Sequence, residues 1–414
     1  MAHASLLLRA AWVCPVAQPP IRDGWVHVVG DVVTAVGQGA AAPPAAWVED
    51  LGSVVVLPGL VNAHTHLELS WLRGRVPPSP DFLTWVGHLM AARARLESAE
   101  DIETMTAVRN AVAAMRASGT VAVGDISNTL ITPAVLAAAD LPAVVFHELM
   151  GFCEVAGHAI VEAAKARRVA LASPGVRIVT APHAPFSVSP ELFRAIRDDV
   201  QAAARPITSV HVGESAAEVQ LLSDGTGPWR ERLEALGVWR DDWTAPGCGS
   251  GDYLCDLGVI AAGTLVVHGV QLSDAELTRI AALGATLVTC PRSNAWVGVG
   301  APPVERFFAS GVAMAIGTDS LASAPDVNVF SELAELHRLA PGVPARRLIE
   351  AATRGGAAAL QLDDRLGSIA PGKAARLLAV RVPRGTTDPE AALVSGVAPD
   401  RIQWVGAAPA ASVP

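Results

Sequence analysis

Eight short runs of β-prone apolar residues alternate with helical segments through most of this chain. The runs are Val54–Leu57, Thr120–Val123, Ala143–Phe146, Arg177–Ala181, Ile207–Val210, Leu265–Val267, Thr286–Thr289 and Ala313–Ile316. They lack the polar/apolar alternation of a half-exposed strand, as expected for parallel strands covered on both faces. Between them, segments such as Phe82–Leu96, Ile102–Ala117 and Pro190–Ala203 carry apolar residues at helical spacing. Eight β–α units in this length predict an α/β fold of the (β/α)8 TIM-barrel class.

The flanks read differently. Residues 5–56 are short strands separated by turn signals at Arg22-Asp23-Gly24 and Gly30-Asp31, and a β pattern returns at Ala375–Val380 after a Gly367–Gly372 turn. The expectation is a small composite β-sandwich domain built from 1–56 plus 366–414, around a catalytic barrel at 57–365. Residues 223–253, rich in Gly and Trp, are read as an insertion or a lid.

Composition narrows the partners. Of 414 residues, 51% are hydrophobic and the net charge is −9, which disfavours nucleic acid and anionic membranes. Five scattered cysteines without a CxxC pattern read as reduced thiols, and no apolar N-terminal stretch has a signal-peptide layout; both indicate a cytoplasmic protein.

Polar residues gather where the strands end: His64 and His66, then His183, His211, His268 and Asp319. Catalytic groups of such barrels project from the carboxyl ends of the strands. His64 and His66 stand at i and i+2, which on an extended backbone puts both imidazoles on one face, and neutral imidazole suits zinc or ferrous iron.

In PGLVNAHTHLELSWLRG (58–74), TAPHAPFSVSP (180–190), HVGES (211–215), HGVQLSD (268–274), CPRSN (290–294) and GTDSLAS (317–323) the chain resembles the amidohydrolase superfamily, in its cytosine/guanine/S-adenosylhomocysteine deaminase branch. The motifs stand in order, one per strand end, and are most similar to those of 6-aminodeoxyfutalosine deaminases. The resemblance implies that His64, His66, His211 and Asp319 hold one divalent metal, zinc with iron as the alternative. It implies Glu214 as proton shuttle, His268 and Asp319 as further catalytic groups, and His183, Ser293 and Asn294 as substrate contacts. Where the family usually has an acidic residue near Ala375, this chain has none.

Two-metal members need a carboxylated lysine at a strand end. The only lysines, Lys165 and Lys373, fall in a helix and in the terminal β segment, so a mononuclear site is expected. One metal fits hydrolytic deamination: water adds to a ring carbon, the ring nitrogen is protonated, and ammonia leaves. The implied reaction is 6-aminodeoxyfutalosine to futalosine in menaquinone biosynthesis. S-adenosylhomocysteine, adenosine or guanine deamination, amide or chloro-hydrolysis on the same scaffold, and a non-catalytic assembly role are the competing readings. The partner is a small molecule, with room left for a homodimer. Its carboxylate is expected at Arg292 or, second, Arg73, and Glu68 and Trp71 are candidates for the pocket floor.

Overall fold

A computed structural model describes residues 5–95 and 98–406. Fifteen strands run through the described residues: β1 (Ser5–Val13), β2 (Ile21–Val29), β3 (Val32–Gln38), β4 (Trp47–Asp50), β5 (Val54–Pro58), β6 (Leu60–Thr65), β7 (Thr120–Ser127), β8 (Ala143–Leu149), β9 (Val176–Pro182), β10 (Thr208–Val212), β11 (Thr264–His268), β12 (Thr286–Thr289), β13 (Ala313–Ile316), β14 (Leu377–Arg381) and β15 (Ile402–Val405). The chain divides into two compact units. One comprises the residues up to Val61, Ala114–Ala122 and those from Asn328 onward; the other comprises Asn62–Ala113 and Val123–Val327.

In the first unit, strands from both ends of the sequence share a seven-stranded sheet ordered β15-β14-β5-β1-β2-β3, with β4 also paired to β1. β14 runs antiparallel to β5, matching Leu377 to Pro58 and Arg381 to Val54. Alternate residues of these strands, among them Leu6, Leu8, Val26, Val28, Val54 and Val56, form one buried cluster, because successive side chains of a strand face opposite ways. A short helix, Pro389–Val394, interrupts the expected C-terminal β pattern. The outermost parts of the expected terminal domain, 1–4 and 407–414, and the expected helix end at Leu96 lie outside the described residues.

Two four-stranded sheets, β6-β7-β8-β9 and β10-β11-β12-β13, supply eight further strands. Strands β7 to β9 run parallel, as do β10 to β13. Hydrogen bonds cross from one set to the other at both flanks. His211 N–H donates to the His183 carbonyl at 2.9 Å, and Thr318 N–H donates to the His64 carbonyl at 3.0 Å.

One expectation is corrected. Val54–Leu57 is not the strand that carries His64; it pairs with β14 and β1 in the terminal sheet. The strand carrying His64 is β6, which starts after Gly59. Both runs are fully buried, but Leu60–Thr65 carries Asn62, His64 and Thr65, so apolar character alone picks out Val54–Leu57; the Pro58-Gly59 step divides the two. Leu60 N–H reaches the Gly119 carbonyl at 2.9 Å, and a Cβ at Gly59 would lie 2.6 Å from Val121 Cβ and 3.3 Å from the Arg376 carbonyl oxygen. Glycine is therefore needed where the chain changes sheets. Gly59→Ala is expected to cost ~1–3 kcal/mol through overpacking against backbone and a β-branched side chain that cannot yield. Urea unfolding measures this, and an unchanged midpoint would show that the crossing tolerates a side chain.

Candidate metal and acid–base site

All the residues gathered here belong to the second unit. His64 lies within β6 and His66 just after it. His183 follows the end of β9, His211 lies within β10, and β11 ends on His268. Asp319 stands three residues past β13, and Glu214 two past β10. Two of these backbones are left-handed, His268 at φ 72° and Asp319 at φ 56°. Non-glycine residues are held there at a cost of about 1–3 kcal/mol each, and such strain collects at functional sites. Gly317 makes room: a Cβ there would lie 2.7 Å from both the Cβ and the carbonyl oxygen of His64.

The rings converge. Ring centroids of His64 lie 5.0 Å from those of His66 and His211 and 5.8 Å from that of His268. Asp319 Oδ1 is 3.6 Å from His66 Nε2 and 3.9 Å from His64 Nε2. Donor atoms of His64, His66 and Asp319 lie within 4.8 Å of one another, as do those of His64, His211 and His268. Neither ring nitrogen of His64, which is fully buried, has a hydrogen-bond partner among the described residues. A buried polar atom with no partner is costly, and a cation ligated by the lone pair removes that cost. The residues present therefore fit a divalent metal.

Hydrogen bonds sort the imidazoles by role. His211 Nδ1 donates to the His183 carbonyl at 2.9 Å, which leaves the Nε2 lone pair free as a donor to metal. His268 is the reverse: Asn294 Nδ2 donates to its Nδ1 at 3.1 Å, so the proton sits on Nε2. That Nε2 lies 3.5 Å from Glu214 Oε1. His268 is thus built as a hydrogen-bond donor facing Glu214, and the set suited to metal reduces to His64, His66, His211 and Asp319.

Electrostatics agree with this division. Burial, with the neighbouring rings adding to it, holds His64 well below the usual imidazole range. Burial likewise takes His66 and His268 down to about 3 and His183 to about 4, so all stay neutral at pH 7. Burial would raise Asp319, but His66, His268 and the Ser293 hydroxyl outweigh it and keep the carboxylate ionised. Glu214 goes the other way: burial, then the charges of Asp319 and Glu218, push it well above the ordinary carboxyl range. A carboxylate held low beside a carboxyl whose proton affinity is raised gives two acidic groups distinct roles, as acid–base chemistry requires.

Several expected substrate contacts prove to be engaged elsewhere. Ser293 and Asn294 are fully buried; Ser293 Oγ donates to Asp319 Oδ2 at 2.6 Å and Asn294 holds His268. Glu68 accepts from Ser127 Oγ, Asn128 N, Thr129 N and Thr129 Oγ1, so its carboxylate ties the turn after His66 to the end of β7. Arg292 pairs with Asp326 at 2.8 Å, and Arg73 is exposed. Trp71 packs into the buried cluster that also holds Phe186 and Trp229. The 223–253 segment includes helix Pro228–Ala235, and its Trp229 stacks on Phe186 at 3.9 Å. Lys165 lies on helix Gly157–Ala170 with its side chain 55% exposed and paired with Glu162, and Lys373, in the first unit, donates to the Asp363 carbonyl.

The sequence reading passed over two acidic groups. Glu148, at the end of β8, lies 3.6 Å from His211 Nδ1 and accepts from Asn128 Nδ2; its strand-end position was the available signal. Asp125 is fully buried in β7, where one oxygen accepts from Leu67 N at 2.9 Å and the other has no hydrogen-bond partner.

Two measurements test this account. Ring ¹⁵N spectra should show His268 protonated at Nε2, and Asn294→Leu should mix the two tautomers; an unchanged spectrum would mean that Asn294 does not set them. The second concerns pH. Burial foremost, with the Glu68 charge adding to it, raises the Asp125 carboxyl to about 8. The folded state therefore holds a proton that the unfolded chain releases in the ordinary carboxylate range. Its stabilisation is complete below that range and is lost as pH rises towards about 8. Asp125→Asn should narrow the difference in melting temperature between about pH 5 and about pH 8; an undiminished difference would assign it to other groups.

With the geometry established, comparison with known proteins is informative. The model of the amidohydrolase family matches residues 55–404. An aminodeoxyfutalosine deaminase of Deinococcus radiodurans is 32% identical over 356 residues, covering 82% of this chain and 81% of that protein. A zinc-bound adenosine deaminase from Xanthomonas campestris superposes with a TM-score of 0.81 at 26% identity, covering 96% of this chain and 90% of the other. The Helicobacter pylori aminofutalosine deaminase in complex with methylthio-coformycin gives a TM-score of 0.81 at 26% identity, covering 94% and 95%. No helix among the described residues is long and apolar enough to cross a membrane. A match over this span, with the histidines and Asp319 brought together as described, places the chain in the amidohydrolase family.

Proposed function

We propose that this protein deaminates 6-aminodeoxyfutalosine, releasing futalosine and ammonia in menaquinone biosynthesis. At the coarser level, the chain is a metal-dependent deaminase of adenosine-type substrates. The observation that carries the reading is the pairing of buried Glu214, its proton affinity raised by burial, with the Nε2–H of His268, next to a cluster suited to one metal. We further infer that the eight parallel-sheet strands close as one (β/α)8 barrel, and that residues 1–56 with 366–414 form the small composite domain. The two flanking hydrogen bonds and the shared seven-stranded sheet support this.

In this reading His64, His66, His211 and Asp319 hold the ion, zinc in the first instance as in the Xanthomonas campestris structure. Bound there, a divalent ion supplies Lewis acidity that makes water nucleophilic near neutral pH. Glu214 accepts a proton from the attacking water and delivers it to the ring nitrogen beside the amino-bearing carbon. A second transfer through the same carboxyl takes the remaining proton to the departing amine, so that ammonia leaves and the ring keeps the oxygen. His268 Nε2–H donates to that oxygen as charge develops on it. Ser293 and Asn294 act on the reaction through Asp319 and His268, whose orientations they fix.

Elemental analysis should find about one divalent metal per chain. Glu214→Gln should keep that metal and lose ~10²–10⁴ in kcat, because Gln matches the shape but cannot take up and give back a proton. Asp319→Asn should lower metal content and rate together. A Glu214→Gln enzyme within a few-fold of wild type would assign the proton transfers to another group. For the substrate, ammonia release from 6-aminodeoxyfutalosine, S-adenosylhomocysteine, adenosine and guanine is compared by kcat/KM. A clear preference for any of the last three would replace the substrate and leave the deaminase chemistry standing.

A further inference from the structure

Helix α1 (Phe82–Arg93) follows the turn that carries Glu68 and Trp71, with Asp81 as its N-cap. Its buried residues are Phe82, Trp85 and Leu89. Phe82 lies 6.2 Å, ring to ring, from Phe186, and Phe186 lies 5.5 Å from His183, so this stripe faces the loop after β9. Arg93 comes four residues after Leu89 and eleven after Phe82, and so falls on the same stripe. It is half-buried, and its guanidinium has no hydrogen bond or ion pair among the described residues. Arg168 pairs with Asp199, Arg240 with Glu191 and Arg292 with Asp326, while half-buried Arg232 is like Arg93 in having no hydrogen bond or ion pair among the described residues. A sheltered cation left without an anion is costly unless something else supplies one.

Ala92, beside Arg93, packs against the buried cluster that holds Ala184 and Phe186, so this end of α1 also lies towards the loop after β9. Glu148 does not neutralise Arg93 by contact; its oxygens are directed to Asn128 and His211. A cation at the last turn of a helix also favours the helix dipole, but exposed Arg95, two residues on, meets that need without burial.

We propose that Arg93 anchors a carboxylate at the far end of the nucleoside substrate, the guanidinium fork matching its two oxygens. This rests on the deaminase reading above, and it moves the anchor from Arg292, which Asp326 occupies, and from exposed Arg73. Two sources of the same chemistry are open: the benzoate of 6-aminodeoxyfutalosine and the amino-acid carboxylate of S-adenosylhomocysteine.

The test compares kcat/KM for these two substrates with that for adenosine, which has no carboxylate, in wild type and in Arg93→Gln, Arg93→Lys and Arg95→Gln. For whichever carboxylate source the enzyme uses, Arg93→Gln should lower the ratio to adenosine by ~10–100-fold, mainly through KM. Arg93→Lys should recover part of the ratio, which a packing role would not produce, and Arg95→Gln should leave it unchanged. Melting temperatures establish that each variant folds. An unchanged ratio in Arg93→Gln, an equal fall in Arg95→Gln, or a wild type that prefers adenosine to both carboxylate-bearing nucleosides would overturn the anchor while leaving the deaminase intact. A wild type that deaminates none of the three would overturn the functional reading, and the anchor with it.

Discussion

The site depends on keeping several imidazoles neutral in one water-poor place. Protonated, His64, His66, His211 and His268 would repel one another at ring separations of 5.0–5.8 Å. Burial removes that charge and leaves lone pairs in need of a partner. Asp319, whose carboxylate accepts from the Ser293 hydroxyl and the Ser320 N–H, supplies the ionised oxygen beside His66. Neutral nitrogen donors and one ionised oxygen form the chemistry a divalent metal selects, and the same burial pushes Glu214 well above the ordinary carboxyl range, which suits it to take up and return a proton.

This arrangement needs supports that are themselves polar and buried. Glu218 accepts from Gly213 N at 2.8 Å and so holds the turn that presents Glu214. Ser215 caps the helix that begins right after it. Glu68, with four donors, locks the turn after His66 against the end of β7. The left-handed backbones of His268 and Asp319 are held by such contacts; the Asp319 carbonyl, for instance, accepts from Thr65 Oγ1 at 2.8 Å. Strain of this kind persists only where the surroundings over-determine it.

Chemistry and recognition occupy different parts of this unit. The acid, the donor and the metal-suited cluster sit at the ends of β6, β10 and β11 and just beyond β13. An aromatic layer extends away from His183 through Phe186 to Phe82 and Trp229, a surface suited to a flat ring and a long apolar linker. Arg93 lies one turn beyond the apolar stripe of α1, where charge can be met without disturbing the proton transfers.

The gathering of histidines and an aspartate at strand ends was legible in the sequence because strand, turn and side chain are local, whereas the roles of Glu214 and of the metal-suited set came from the family resemblance. A buried run that ends in a histidine declares both the strand and its carboxyl end, and His-x-His on extended backbone must point one way. The strand that carries His64 was misplaced by one element, because Val54–Leu57 is the more apolar run while Leu60–Thr65 carries Asn62, His64 and Thr65, and the change of sheet falls at Gly59, which lies close to Val121. Tertiary structure alone decided what polar side chains far apart in sequence do with one another. Asn294 sets the tautomer of His268 from 26 residues away, and Asp326 takes Arg292 from 34. Phe186 meets α1 across a separation that no local pattern encodes, which is why Arg93 on that helix could be recognised as a half-buried cation with no partner among the described residues only once the chain was folded.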